Sequence, residues 1–440
     1  MYYLSFKISK FLLNFDQTIL LEGGEMAVKV YTLSNGLRVV LHSESYRSSY
    51  MTLTTRAGPR FERPEGLGLS HVLEHLVVSD PAIHYEMESL GEGLYNAETD
   101  AEDVSYFFSF PKRNVLRGMK AFARILTAPI SAEKFEKEKT VIGIEYVMAS
   151  EDPDSVLYDL FIRTGWQGHI LDRNDTVPWQ DNLPHLTFEQ LSAFRQKVNC
   201  GRNMVLAVVG DPPVQPFLEV LEGTLGALPE GELLPVERFP LPVREGFTVV
   251  KQVAPRKLVY ALLGFPLPRL MSAERRGLEI LNMYLGDPNL FSSVLFNRVR
   301  EELALVYSVM SGVETFYDSD SFQVRWVCPP GNLEKILNVV LEEIGKIAQE
   351  GISQKEFRRT RQVLSLQKEG QLEEPTTISV ALAEETIRSG RVSDPKLWPK
   401  KARRARRADM IRFVHSYLNP DRAVLALYGP VENLEPRILV

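Results

Sequence analysis

The chain reads as an α+β protein built from two homologous units, each a mostly antiparallel sheet covered by helices. Three observations lead there. At 440 residues the chain is too long for one typical domain. Strand-like and helix-like segments recur in the same order in its two halves. Two stretches about 220 residues apart, "NMVLAVVGDPPVQPF" at 203–217 and "RAVLALYGPVENL" at 422–434, share an apolar strand, a glycine and a turn with proline.

The first unit is read from residue 27 to 227. "KVYTL" and "LRVVLH" flank "SNG" and form a hairpin, and the alternating "SYMTLTTRAG" is a third strand. The glycine-rich "PEGLGLS" leads into an apolar helix over 69–78. "GLYNAETDAEDVSYFFSF" gives two strands that join near Thr99 to Glu102. Helices are expected at about 112–127, 132–151, 154–164 and 187–197, followed by a buried strand at 203–211 and a helix at about 214–225. Residues 228–246, with four prolines and many charges, read as a linker. The second unit runs from 247 to 440. "FTVVKQV", "KLVYALLGF", "YSVMSGV" and "SFQVRWVC" are its strands, and helices are expected near 273–285, 291–302, 331–349, 353–388 and 402–417. Residues 1–26 form an N-terminal extension. Its apolar run is interrupted by Lys7 and Lys10 and has no signal-peptide pattern. The codons of Glu-Gly-Gly in "LLEGGEM" can hold a purine-rich ribosome-binding sequence, which makes Met26 an alternative to Met1 as the native start.

Composition excludes some classes of function. A net charge of -6 argues against nucleic acid as the main partner. No stretch is long and apolar enough to span a membrane. Two cysteines, Cys200 and Cys328, are too few for a disulfide framework, which suits a reducing, cytoplasmic setting.

The segment that carries chemistry is "GLGLSHVLEHLVVSD" at 66–80. His71 and His75 stand four apart on a helix, hence on one face, where two imidazoles can reach one zinc ion. Glu74 flanks that face and can accept a proton from water at the metal, an H-x-x-E-H arrangement. By chance alone such a pattern arises in roughly one sequence of this composition in a hundred. A third ligand must come from elsewhere, and "FEKEKTVIGIEYVMASEDPD" offers it. Glu145 sits among Val141, Ile142, Ile144, Val147 and Met148, an apolar face on which a carboxylate is costly unless paired or bound to metal. Glu145 is therefore assigned as the third ligand, and Glu138, two turns earlier, as a group that orients a ligand or the water. His42, His84, His169, His185 and His415 read as structural or solvated.

From residue 28 to the C-terminus the chain resembles the pitrilysin/insulinase superfamily of inverted zinc peptidases, in particular short bacterial relatives of the mitochondrial processing peptidase. The resemblance rests on "LSNGLRVVL", "RAGPRFERPEGLGLSHVLEHL", "MESLGEGLYNAETDAEDVSYFF", the Glu138/Glu145 pair, "NMVLAVVGD" and "LFNRVREELALVYSV". It implies a metalloendopeptidase acting on peptides, with one zinc per chain held by His71, His75 and Glu145 and with Glu74 as general base. It implies that Asn96 and Ala97 lie on an edge strand where a peptide adds. It also implies that Arg300 and Tyr307 touch substrate carbonyls, where a cation and a phenol would stabilise a developing oxyanion. Short relatives work as pairs of chains, so a homodimer, or a heterodimer with a related chain, is expected. The same fold also serves some relatives as a non-catalytic scaffold subunit, usually with metal residues lost. "LVVSD" after His75 and "LGDPNLFSSVLF" depart from the family pattern and leave substrate preference open.

Overall fold

A computed structural model describes residues 14–18, 28–91, 95–174, 176–242 and 245–436. The alternative start at Met26 lies outside the described residues. In the first half the strands are β1 (Asn14–Thr18), β2 (Val28–Thr32), β3 (Arg38–Ser43), β4 (Ser48–Arg56), β5 (Tyr95–Thr99), β6 (Asp103–Pro111) and β7 (Met204–Gly210). They form one sheet in the order β1-β2-β3-β7-β4-β6-β5, antiparallel throughout except for the parallel pair β3/β7. The helices of this half are α1 (Leu69–Val78), α2 (Pro81–Leu90), α3 (Val115–Thr127), α4 (Ala132–Glu151), α5 (Pro153–Gly165), α6 (Thr176–Asn182), α7 (Phe188–Val198) and α8 (Val214–Glu222).

The second half has β8 (Thr248–Val253), β9 (Val259–Pro268), β10 (Val309–Thr315), β11 (Ser319–Cys328) and β12 (Val424–Gly429), in the order β10-β11-β9-β12-β8. Again only one pair, β12/β8, is parallel. The path β3-β7-β4-β6-β5 of the first sheet is thus repeated strand for strand as β8-β12-β9-β11-β10. The repeated glycine has a physical cause. Gly210 and Gly429 end equivalent central strands at φ 143° and 127°, a region that side chains disfavour. The helices here are α9 (Ser272–Leu285), α10 (Leu333–Gln349), α11 (Gln354–Gly370), α12 (Pro375–Ser389), α13 (Trp398–Arg403) and α14 (Arg407–Tyr417).

The central strands β7 ("MVLAVVG") and β12 ("VLALYG") are buried along their whole length, as a continuous apolar run requires when both faces of a sheet are covered. Helices of the same half cover one face. The other face is covered by a helix from the opposite half. Ile378, Leu382, Ala383 and Ile387 of α12 pack on Val40, Val205, Ala207 and Val209 of the first sheet. Val156, Leu160 and Phe161 of α5 pack in one core with Leu262, Val424 and Ala426 of the second sheet. Phe161 lies so close to β9 that a Cβ on Gly264 would come within 2.1 Å of its ring.

A buried polar junction fixes the two halves further. Arg60, just before α1, pairs with Glu102 in the β5–β6 turn at 2.9 Å and with Asp318 in the β10–β11 turn at 2.7 Å, all three nearly fully buried. The Tyr317 N–H donates to Glu102 at 2.8 Å, and Arg388 of α12 pairs with Asp103 at 3.2 Å. Burial pushes Glu102 up to about 8 even though Arg388 and Arg60 favour its charge. The 2.9 Å bond from the Arg60 guanidinium opposes that rise.

Several sequence expectations need correction. The helix expected over 353–388 is two helices, because Pro375 has no N–H to give and restricts Glu374 before it. The helix expected over 402–417 is interrupted where Arg406 is extended, at φ -116° and ψ 143°. The segment expected as a helix over 291–302 is wound as a π-helix at Phe296–Glu302. The sequence reading had no helix for α2 or α6 and no strand for β1. Within residues 228–242, the chain touches the first half at one buried residue. Leu234 is buried, its N–H donates to Asn203, and its carbonyl accepts from Arg56.

Shared cores predict joint unfolding. Leu382→Ala should cost roughly 2–5 kcal/mol, the scale for a buried leucine. In calorimetry it should lower one common transition, and two well-separated transitions would contradict the shared core.

Candidate metal centre

The start of α1 is set by a buried carboxylate. No side chain caps the helix from Gly68; instead Glu62 accepts the Gly68 and Ser70 N–H groups at 2.7 and 2.5 Å. Burial pushes Glu62 up to about 6 against these stabilising bonds. Leu69, Val72, Leu73, Leu76 and Val77 face the core, which leaves His71 and His75 together on the flank that meets α4. On α4, Phe135, Glu138, Ile142 and Tyr146 form the buried stripe, and Lys134 Nζ ties the helix to the Leu76 carbonyl at 2.9 Å.

Four side chains converge across this contact. His71 Nε2 lies 3.6 Å from one Glu145 oxygen, and His75 Nε2 lies 3.1 Å from the other. The two imidazole rings stand at 88° with centroids 4.7 Å apart. Ligands at about 2.1 Å from a tetrahedral zinc are roughly 3.4 Å from one another, and the observed separations bracket that value. Glu74 also brings an oxygen within 4.8 Å of ligand atoms on both histidines. Of the two carboxylates, Glu145 meets both Nε2 atoms directly, while Glu74 is turned toward Thr99, whose hydroxyl donates to it at 3.2 Å. The far nitrogens have partners too. His71 Nδ1 is hydrogen-bonded to the Tyr146 hydroxyl at 3.2 Å, and Glu138 lies 3.6 Å from His75 Nδ1. Two imidazoles and a carboxylate suit zinc.

The electrostatics favour a cation. Hydrogen bonds from His71 and His75 hold Glu145 well below the usual carboxylate range. Burial works against the His75 imidazolium, but its bond to Glu145 and the charges of Glu74, Glu145 and Glu138 outweigh this and raise its pKa. Burial raises the pKa of Glu74, against the pull of both histidines. Three carboxylates around two imidazoles make a concentration of negative charge that a divalent ion would neutralise.

The argument that singled out Glu145 from its apolar neighbours is overturned. Its side chain is 51% exposed, and Ile144 and Met148 are 60% and 67% exposed. Val141 and Val147 are exposed as well, and only Ile142 of the five is buried. Glu145 faces His71 and His75, while Glu138 is the carboxylate on the buried face of α4. Asn96 and Ala97 lie on β5, the last strand of its sheet, opposite Phe107 and Tyr106 of β6. Arg300 and Tyr307 lie together in the second half, with the guanidinium 5.2 Å from the Tyr307 ring and 4.6 Å from that of Phe296. Tyr307 is 82% exposed. The described contacts within the chain do not join this pair to the histidine cluster. Tyr146, Thr99 and Glu62 were missed in the sequence. Tyr146 is adjacent to Glu145 and Thr99 ends the "NAET" stretch, but no spacing rule points to either.

Comparison with known proteins gives a consistent result. A family model described as "Insulinase (Peptidase family M16)" matches residues 38–176, and one described as "Peptidase M16 inactive domain" matches residues 185–364. An uncharacterized zinc protease of Mycobacterium leprae is 26% identical over 337 residues, covering 74% of this chain and 75% of that one. One of Bacillus subtilis is 25% identical over 344 residues, covering 76% and 82%. Among solved structures, a protease from Helicobacter pylori has a TM-score of 0.81 at 19% identity, covering 92% of this chain and 99% of that one. A peptidase M16 inactive domain from Pseudomonas fluorescens also has a TM-score of 0.81, at 17% identity, covering 94% and 100%.

The donor set makes a direct prediction. Elemental analysis of the purified protein should find about one zinc per chain, and His71→Ala or Glu145→Ala should lose most of it. Wild-type protein that binds no zinc when supplied with it would contradict the assignment.

Proposed function

The chain belongs to the pitrilysin/insulinase (M16) superfamily, and on that premise we propose that it is a zinc metalloendopeptidase that hydrolyses peptides or unfolded segments. The observation that carries this reading is the convergence of both histidine Nε2 atoms on Glu145, with the Glu74 carboxylate beside them. In it, His71, His75 and Glu145 hold the ion, and Glu138 and Tyr146 orient the two imidazoles. A bound zinc ion would supply Lewis acidity to a carbonyl and to a water molecule. Glu74 takes the proton of the attacking water and passes it to the leaving amine. The peptide extends the sheet along β5, where Asn96 and Ala97 present the free edge.

Arg300 and Tyr307 would steady the peptide carbonyls near the scissile bond. They have no described contact with the histidine cluster of their own chain, which supports a shared site completed by the second half of another chain. The apolar surface of Val141, Ile144, Val147 and Met148 beside Glu145 supports the same arrangement, since it is exposed in the single chain. The assembly is a homodimer or a heterodimer with a related chain, and its setting is the cytoplasm, where the two free, buried cysteines remain reduced. No helix among the described residues is long and apolar enough to cross a membrane.

A scaffold subunit without activity is the second reading. The inactive-domain match covers 185–364, which leaves out the histidine cluster and Glu145. The first half keeps all three ligands and the base, which favours catalysis. Glu74→Gln decides between them: it should keep its zinc yet cleave an unstructured peptide at least ~100-fold more slowly, the scale of a general base. Equal rates would remove Glu74 from the reaction, and zinc-loaded wild-type chain without activity would support the scaffold. For the assembly, mixing Glu74→Gln chains with Tyr307→Phe chains should restore activity, because one of the two sites in a mixed dimer is then intact. No rescue from verified mixed dimers would place each complete site within one chain.

A further inference from the structure

The Glu74 carboxylate is buried, and the one hydrogen bond that reaches it among the described residues comes from the Thr99 hydroxyl, to Oε2 at 3.2 Å. Its other oxygen has no such bond. This carboxylate also sits within 4.8 Å of ligand atoms on both histidines. Left to rotate, it could close on a bound ion as a fourth protein ligand and fill the position that a catalytic site must keep open. We propose that Thr99 is a positioning residue: its hydroxyl holds Glu74 off the metal and leaves the second carboxylate oxygen free to take the proton. The inference rests on the zinc-peptidase reading.

Thr99 is well placed to do this. It is the last residue of β5, paired with Val104 of β6. Threonine is stiff at χ1, so a fixed backbone fixes the direction of its hydroxyl. The backbone is fixed by the turn that follows. The Asp100 N–H donates to the Asp103 carbonyl at 2.9 Å. Asp103 accepts from Arg388 at 3.2 Å and from the Tyr317 hydroxyl at 3.1 Å, and Glu102 is held by Arg60 and the Tyr317 N–H. Arg388 and Tyr317 belong to the second half, so that half anchors the strand end that orients Glu74.

The test uses the full chain with Thr99→Val, which keeps the shape and removes the hydroxyl, and Thr99→Ser, which keeps the hydroxyl. Zinc content should be unchanged in both. For an unstructured peptide, Thr99→Val should lower kcat by at least ~10-fold with little change in KM, the scale of a hydrogen bond to a charged group, and Thr99→Ser should stay within about 3-fold of wild type. A second readout needs no activity. The shift in thermal midpoint caused by Thr99→Val should vanish in a Glu74→Ala background, because the two residues act as a pair. Additive shifts, or a zinc-loaded Thr99→Val chain with wild-type kcat, would overturn the proposal. A wild-type chain that binds zinc but cleaves nothing would overturn the peptidase reading and the positioning role with it, while non-additive midpoints would still show the contact between Thr99 and Glu74.

Discussion

Each sheet in this protein has two apolar faces and only one set of helices in its own half to cover them. The exchange of α5 and α12 resolves this shortage. α12, from the second half, seals the first sheet, and α5, from the first half, seals the second. An uncovered sheet face carrying Val40, Val205, Ala207 and Val209 would expose a continuous apolar surface. Each half is therefore part of the other's core, and Leu234, between them in the chain, is bonded to Arg56 and Asn203 of the first half.

The polar junction follows from this exchange. Once α12 lies on the first sheet, Arg388 near its end comes up against the β5–β6 turn and meets Asp103. The β10–β11 turn reaches the same place and brings Tyr317 and Asp318 to Glu102 and Arg60. These charges are buried, and a buried charge without its partner is far costlier than an exposed one. The junction thus fixes one relative placement of the halves that apolar packing alone would leave loose. Arg60 precedes α1 and Glu102 follows β5, so the same junction frames both the helix of the histidine cluster and the edge strand of the sheet.

Much of this was legible in the sequence, for reasons that differ between elements. The ends of α1 matched because the glycine-rich approach and the apolar period both mark them. The run "MVLAVVG" announced a strand buried on both faces, but it could not say that the second cover comes from residues 375–389, because apolar periodicity carries no address. Glu145 was singled out on a faulty premise. A run of apolar letters around a carboxylate suggested burial, whereas the run is exposed and the facing imidazoles hold the carboxylate. Thr99 and Tyr146 were illegible because their hydrogen bonds link different elements, and such bonds leave no spacing in the chain.

The duplication also bears on where a complete site could form. The connection from β4 to β5 carries His71, Glu74 and His75. The equivalent connection in the second unit, from β9 to β10, carries Arg300 and Tyr307. One unit has placed the helix with the histidine cluster at this point of the fold, and the other a cation stacked on an aromatic ring. Equivalent points on two related units come face to face when the units pair about a twofold axis that passes between those points. Within this chain the exchange of α5 and α12 and the Arg60–Asp318 pair already join the two units in another way. A twofold pairing that brought the histidines and Arg300 together would then fall between units of different chains. In such a pair each chain would give its first unit to one site and its second unit to the other. The same helix exchange that makes the single chain rigid would thus leave each half-site open to a partner.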